Sequence, residues 1–430
     1  MTEQTIRRFF RFLSSSPSSF HAVAALRAEL FSAGYRELPE AGLWDMEPGG
    51  KYFVSRNSSS LISFRVPRGI SACFHIIASH SDSPTFRLKP GPGLCSEGGM
   101  VRLNVERYGG AILSTWFDRP LSLAGRVLVE EGSAVREVLF SPDRDLLMIP
   151  SLAVHFNREQ KGPQQIQTEM LPILSGDGDE KALTKLLASE LKVNEEQILS
   201  AELCLVNRQP PAVWGLNGEF IAAQRLDDLE CCYCSFLAFL DCGPEAGIPV
   251  HCVFDSEEVG SRTRQGAASG FLKDTLERIA DCLGLSREEY HAAIASSFLV
   301  SADNAHALHP NYVGKADPVN RPRMNGGIVI KYQAEQRYAT DAVSAAICKK
   351  LCRDHGLPFQ EFTNNSDIPG GSTLGNISSA QLPLRTVDIG LAQLAMHSCY
   401  ESAGARDLEN MVRFSEVFYS TDLPELLPGS

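Results

Sequence analysis

The stretch Ile70-Ser71-Ala72-Cys73-Phe74-His75-Ile76-Ile77-Ala78-Ser79-His80-Ser81-Asp82-Ser83-Pro84 governs the reading of the chain. Residues 70–78 form an apolar run that suits a strand buried on both faces, as in a sheet covered by helices on either side. The polar group His80-Ser81-Asp82 then falls at that strand's carboxyl end. Four later segments repeat the arrangement. Ile248–Phe254 leads into Asp255-Ser256-Glu257-Glu258, and Ser296–Ala302 leads into Asp303. Gly326–Lys331 leads into Gln336-Arg337-Tyr338, and Leu384–Gly390 into the stretch carrying His397. In open α/β sheets the ligand crevice lies beyond the carboxyl ends of the strands, so clusters remote in sequence are expected to meet there.

Working outward, Val23, Leu26, Leu30 and Phe31 repeat at helical spacing between a cap at Ser18 or Ser19 and a stop at Gly34. From Cys95 to Pro211 the texture changes to short alternating strands, Gly/Pro turns and a polar loop at 175–181. Amphipathic helices alternating with apolar strands resume after Pro210-Pro211. The expected organisation is an α/β domain made of residues 1–94 and 212–430, interrupted by a smaller β-rich domain over 95–211.

Length and composition narrow the function. A chain of 430 residues exceeds the size at which one core stops growing, and 43 % apolar with 21 % charged residues fits a globular protein rather than a fibrous or disordered one. Forty basic residues against 52 acidic ones leave a net charge of -12, the wrong sign for gripping a phosphate backbone or an anionic bilayer over a broad surface. Neither nucleic acid nor membrane is an expected partner. No uncharged apolar run approaches the roughly 20 residues of a membrane-spanning helix, and the first ten residues lack an export signal. The 12 cysteines are scattered through apolar runs, for example at Cys73, Cys252 and Cys282. A cytoplasmic protein with reduced core thiols is expected.

Taken singly, the polar residues have ordinary explanations. His80 and Asp82 can form a polar turn, Glu257-Glu258 a solvated one, and Asp227-Asp228 can cap the apolar helix that follows them. Adjacent carboxylates after a buried strand nevertheless repel and lose hydration unless a cation or proton offsets them. As a set, His80, an Asp of the pair Asp227-Asp228, a Glu of the pair Glu257-Glu258, Asp303 and His397 are nitrogen and oxygen donors of the kind that hold zinc. One bridging Asp, with a His and a carboxylate on each side, can hold two ions, and a spare Glu can then act as general base on water. Asp82 can orient the His80 ring through its second nitrogen. This is chemistry suited to amide hydrolysis.

The segments 80–90 (HSDSPTFRLKP), 108–110 with 116–127, 225–229 (RLDDL), 256–267 (SEEVGSRTRQGA), 301–312 (SADNAHALHPNY), 330–341 (IKYQAEQRYATD) and 393–398 (QLAMHS) span nearly the whole chain. Together, in this order, they resemble the aspartyl aminopeptidase family, metallopeptidases that remove acidic residues from peptide N-termini. The resemblance implies an α/β zinc-peptidase fold of the phosphorylase/hydrolase-like type, its mixed-sheet catalytic domain sandwiched between helices and the inserted domain serving oligomerisation. It implies two divalent metal ions per subunit, zinc being expected and cobalt or manganese the alternatives. By the family pattern His80 pairs with Asp303 at one ion and Glu258 with His397 at the other, while Asp227 bridges, Asp82 orients His80 and Glu257 is the general base. Lys331 and a His from a neighbouring subunit, best matched by His155, are implied in the pocket for the acidic substrate side chain. His306 is a further candidate for substrate contact. The resemblance also implies a tetrahedral homododecamer.

Departures from the family pattern accompany the matches. Ser81 stands for Thr, Asp228 for Asn, Asn304 for an apolar residue, Glu335 for Asn and Asn376 for Pro, and none removes a ligand. Asp228 leaves open which of the paired Asp residues bridges. Cys348, Cys352 and His355 read as a buried helix face ending in a dipole-complementing His, and the glycine-rich 370–379 segment as a tight turn without the Lys-Ser/Thr ending of a phosphate loop. Two other functions are consistent with the fold: a hydrolase preferring neutral N-terminal residues, and a non-catalytic assembly protein. The intact ligand set speaks against the latter.

Overall fold

A computed structural model describes residues 2–68, 73–156, 164–243 and 246–426. The chain forms two compact units, the larger comprising Met1–Asp82, Pro211–Met396 and Glu401–Ser430, the smaller Ser83–Pro210 with His397–Tyr400.

The larger unit is built on a nine-stranded sheet. Its strands are Arg36–Glu37 (β1), Lys51–Arg56 (β2), Ser60–Arg65 (β3), Phe74–His80 (β4), Ile248–Phe254 (β5), Phe298–Ala302 (β6), Ile328–Tyr332 (β7), Phe359–Thr363 (β8) and Arg385–Gly390 (β9). They lie in the order β1-β2-β3-β5-β4-β6-β9-β7-β8. The four central strands β5, β4, β6 and β9 are mutually parallel. Both faces are covered because successive side chains alternate between them. Ile77, Val253 and Val300 pack with the helices Thr2–Ser15, Ser19–Ser32, Leu226–Asp241, Ala342–Asp354 and Asp407–Ser420 on one side. Ile76, Ala78, Cys252, Phe254 and Leu299 pack with Phe271–Cys282, Arg287–Ala295 and Leu374–Gln381 on the other. Each fully buried Phe, Leu, Ile or Val contributes about 1.5–3 kcal/mol relative to exposure. A second, five-stranded sheet in this unit joins Ala212–Trp214, Phe220–Ala223, Glu401–Gly404, Ala392–Leu394 and Ala305–His306.

The smaller unit is a six-stranded antiparallel sheet with its own core around Phe86, Val105, Trp116, Leu123, Val127 and Leu205. It begins at Ser83 rather than at residue 95, because Thr85–Cys95 pairs with Val101–Tyr108 and with Ile198–Asn207. A short segment returns to it at His397–Tyr400.

Three other expectations change. β7 runs antiparallel to β9, so its carboxyl end, with Gln336-Arg337-Tyr338 beyond it, lies at the edge opposite to the ends of β4, β5, β6 and β9. The apolar run starting at Ile70 begins outside the described residues, and His80 is the last residue of its strand rather than the first after it. Cys282 is exposed, though all 12 cysteines are free thiols and most are buried. Among the described residues no helix is long and apolar enough to cross a membrane.

Candidate metal centre

Parallel pairing of β4 with β5 sets Phe254 beside His80, so the polar segments that follow both strands leave the sheet together. His80 is fully buried. Its Nδ1 lies 3.0 Å from the backbone oxygen of Asp82 and 3.5 Å from Asp82 Oδ1. That leaves Nε2 facing Asp227 Oδ1 at 3.6 Å and Asp303 Oδ1 at 3.8 Å. The Asp82 carboxylate in turn accepts the backbone N–H groups of Glu257 and Glu258, each at 3.1 Å. One buried carboxylate therefore holds the His80 ring and the Glu-Glu segment together.

Asp227 and Asp228 sit at the start of the helix Leu226–Asp241, where both have non-helical backbone angles and a cis peptide bond joins them. The segment is kinked at these two residues, and Arg225, with a left-handed backbone, precedes it. Asp227 N–H donates to Glu401 Oε2 at 3.1 Å, and His80 N–H donates to Asp228 Oδ2 at 3.1 Å. Asp303 follows β6, and the buried Lys331 ammonium donates to its backbone oxygen (2.9 Å), its Oδ2 (3.4 Å) and the backbone oxygen of Asn304 (3.3 Å).

The electrostatics are those of a site with more carboxylates than cations. Burial alone would depress the His80 imidazole, but Asp227, Asp303 and Asp82 hold it well above its ordinary value. Burial, aided by the like charges of Asp303, Asp82 and Asp227 and opposed by His80, pushes Glu257 up to about 8. Burial also drives Asp228 well above the carboxylate range against the opposing pull of His80. Asp228 Oδ1 is buried and makes no hydrogen bond among the described residues.

Divalent ions fit this arrangement. Donor atoms of His80, Asp228 and Asp303, and of His80, Glu257 and Glu258, lie within 4.8 Å of one another in each set. Two ligands at about 2.1 Å from a tetrahedral zinc stand about 3.4 Å apart, close to the separations at His80 Nε2. Asp227 Oδ1 lies 3.6 Å from His80 Nε2, while Asp228 accepts the His80 backbone N–H with one oxygen and also belongs to the donor set with His80 and Asp303.

Residues 12–419 match the family described as aminopeptidase I zinc metalloprotease (M18). The chain belongs to the M18 family. It is 44 % identical over 424 residues to a probable M18 family aminopeptidase 2 of Clostridium acetobutylicum, covering 96 % of this chain and 98 % of the relative. Among solved structures it resembles the chain in the cryo-EM structure of the Ape4 and Nbr1 complex (TM-score 0.95, 37 % identity, 100 % of this chain and 88 % of that one). It also resembles the S. cerevisiae mApe1 dodecamer (TM-score 0.86, 26 % identity, 98 % of this chain and 97 % of that one). The M18 chain described here is thus a metallo-aminopeptidase with the mixed α/β fold of that family.

The remaining candidates are placed as follows. His397 lies in the smaller unit with φ +70°, its backbone oxygen accepting Ile112 N–H and its Nδ1 3.3 Å from the Gly110 oxygen. A Cβ at Gly110 would stand 3.1 Å from that nitrogen, so a larger residue would crowd the ring. His155 is exposed in a turn of the smaller unit. His306 is exposed, its ring 5.9 Å from Phe362, and lines a cavity of about 480 Å³ with His309, Tyr312, Lys315 and Arg321. Cys348 and Cys352 are buried in their helix with His355 as its C-cap. Glu401, which anchors Asp227, escaped the sequence reading; only the register of Ala223 opposite Glu401 brings it to the helix start.

Proposed function

We propose that this M18 aminopeptidase removes N-terminal Asp and Glu from peptides with two divalent ions, zinc being expected. The convergence of His80 Nε2, Asp227 and Asp303, with Glu257 and Glu258 tethered to the same Asp82, is the observation that supports it. His80 and Asp303 would hold one ion, Glu258 and His397 the other, and Asp227 both; the Gly110 oxygen beside His397 Nδ1 leaves the other ring nitrogen for that task. Such ions, when bound, act as Lewis acids toward the scissile carbonyl and the attacking water. Glu257 takes the proton from that water and returns it to the leaving amine. Asp82 keeps the His80 ring oriented throughout.

In the same reading Lys331 pairs with the acidic side chain of the substrate, His155 joins the pocket from a neighbouring copy, and His306 contacts substrate. A charge-assisted contact in a dry pocket is stronger than one in water. A preference for neutral N-terminal residues is favoured by one observation: among the described residues the three Lys331 hydrogen bonds go to Asp303 and Asn304. Release of Asp, Glu and Leu from dipeptides, with and without chelator, separates the two. Faster cleavage of Asp or Glu substrates that chelation abolishes supports the first, and faster cleavage of Leu substrates supports the second. Assembly into a tetrahedral homododecamer in the cytoplasm completes the proposal, with the exposed Leu152, Val154 and Phe156 of the smaller unit offering apolar contact surface.

A further inference from the structure

We infer that Asn304 and Glu230 form a buried positioning pair that sets the spacing between Asp303 and Asp227, an inference that rests on the metal-centre reading above. Asn304 and Glu230 are fully buried, as is Gln393. The Asn304 amide donates to Glu230 Oε2 at 3.0 Å and to Gln393 Oε1 at 2.8 Å, and its own oxygen accepts the Cys231 thiol at 2.8 Å. Its backbone oxygen takes Lys331 Nζ. Every polar group of this side chain is therefore used, and its partners lie on two elements, the helix Leu226–Asp241 and the strand Ala392–Leu394.

Both are tied to the candidate ligands Asp303 and Asp227. Asn304 follows Asp303 directly; Glu230 and Cys231 lie one turn past Asp227 on the helix Leu226–Asp241. Gln393 lies on the strand Ala392–Leu394, which pairs with the strand carrying Glu401, the acceptor of Asp227 N–H. The Asn304 amide is thus a brace between Asp303 on one element and Asp227 on another. It also donates to one oxygen of Glu230, whose other oxygen makes no hydrogen bond among the described residues. An apolar residue at 304 would leave that buried carboxylate without the donor. The three hydrogen bonds of the Asn304 side chain tie its loop to the helix Leu226–Asp241 and to the strand Ala392–Leu394.

The test uses the zinc-loaded protein with Asn304→Leu and with Glu230→Leu/Asn304→Leu, the double variant removing the stranded carboxylate. Zinc affinity is read by competition with a chromogenic chelator, and melting temperature alongside it. The single variant is expected to lose melting temperature and to bind zinc at least tenfold more weakly. The double variant is expected to regain most of the melting temperature while its zinc affinity stays at least tenfold reduced. A role in packing alone predicts recovery of both, so a double variant that melts near the unaltered protein and binds zinc within tenfold of it overturns the inference. Failure of the unaltered protein to bind zinc overturns the metal-centre reading itself.

Discussion

Asp82→Asn tests the geometry of the metal centre most directly, because it changes one atom at the point where β4 and β5 are tied together. Both Asp82 oxygens accept a backbone N–H at 3.1 Å, and Oδ1 also lies 3.5 Å from His80 Nδ1. A hydrogen bond to a charged group contributes about 1.5–3 kcal/mol, and the amide replaces one acceptor with a donor that faces a donor. The expected loss of folding stability is therefore about 2–3 kcal/mol. The loss also acts on the site, since the Glu257-Glu258 segment loses half its anchor and the His80 ring its fixed negative neighbour. Removing such a supporting partner costs typically 10–100-fold in metal affinity or activity, about 1.4–2.7 kcal/mol. Zinc competition, turnover on an acidic dipeptide and denaturant unfolding, measured on one preparation, give the three numbers. A variant within threefold of the unaltered protein in both zinc affinity and turnover would refute the bracket that Asp82 is argued to form.

Glu257→Gln is expected to keep its metal content yet lose nearly all turnover; a rate within tenfold, about 1.4 kcal/mol of barrier, would remove Glu257 as the base. Lys331→Ala should reduce cleavage of Asp and Glu substrates more than of Leu substrates, and an equal loss across all three would instead assign the residue to holding Asp303. Burial holds His251 down at about 3 and His75 at about 4. The unfolded chain binds those protons below about pH 6.5 while the folded chain refuses them, so both residues make stability fall on acidification. His251→Leu should flatten that fall by about 2 kcal/mol between pH 6.5 and 5, and an unchanged slope in denaturant unfolding would contradict it. Replacing Leu152 and Phe156 with Asp should lower the particle mass in light scattering; an unchanged mass would place the copy-to-copy contact elsewhere.

The parallel core of the sheet was legible because a strand buried on both faces must be apolar almost throughout. The runs ending at His80, Phe254, Ala302 and Gly390 each mark one such strand. The run ending at Tyr332 looks the same in sequence, since apolarity reports burial and is blind to direction, and its antiparallel placement had to come from the pairing. The start of the smaller unit was misplaced for a related reason. Thr85–Cys95 has no compositional break before it, and its membership is decided by strands far along the chain. Of the candidate site, His80, Asp82, Asp227, Glu257, Glu258 and Asp303 were expected from their positions after strands or at a helix start and from motif resemblance. Glu401, Glu230 and Asn304's brace were not, because a buried hydrogen bond between residues separated by 74 or 174 positions leaves no periodic or spacing signal.

Amino-acid order alone specified an apolar-stranded α/β core, a β-rich segment within it, and a family whose members work through metal ions. These are properties of composition, periodicity and short motifs, which act locally along the chain. Folding was needed to bring Asp227 within 3.6 Å of His80 Nε2, to commit Lys331 to Asp303, and to gather the carboxylates so closely that burial and mutual repulsion call for a cation. Such outcomes depend on distances of 3–4 Å between distant elements, and those distances exist only once the sheet has brought its strand ends together.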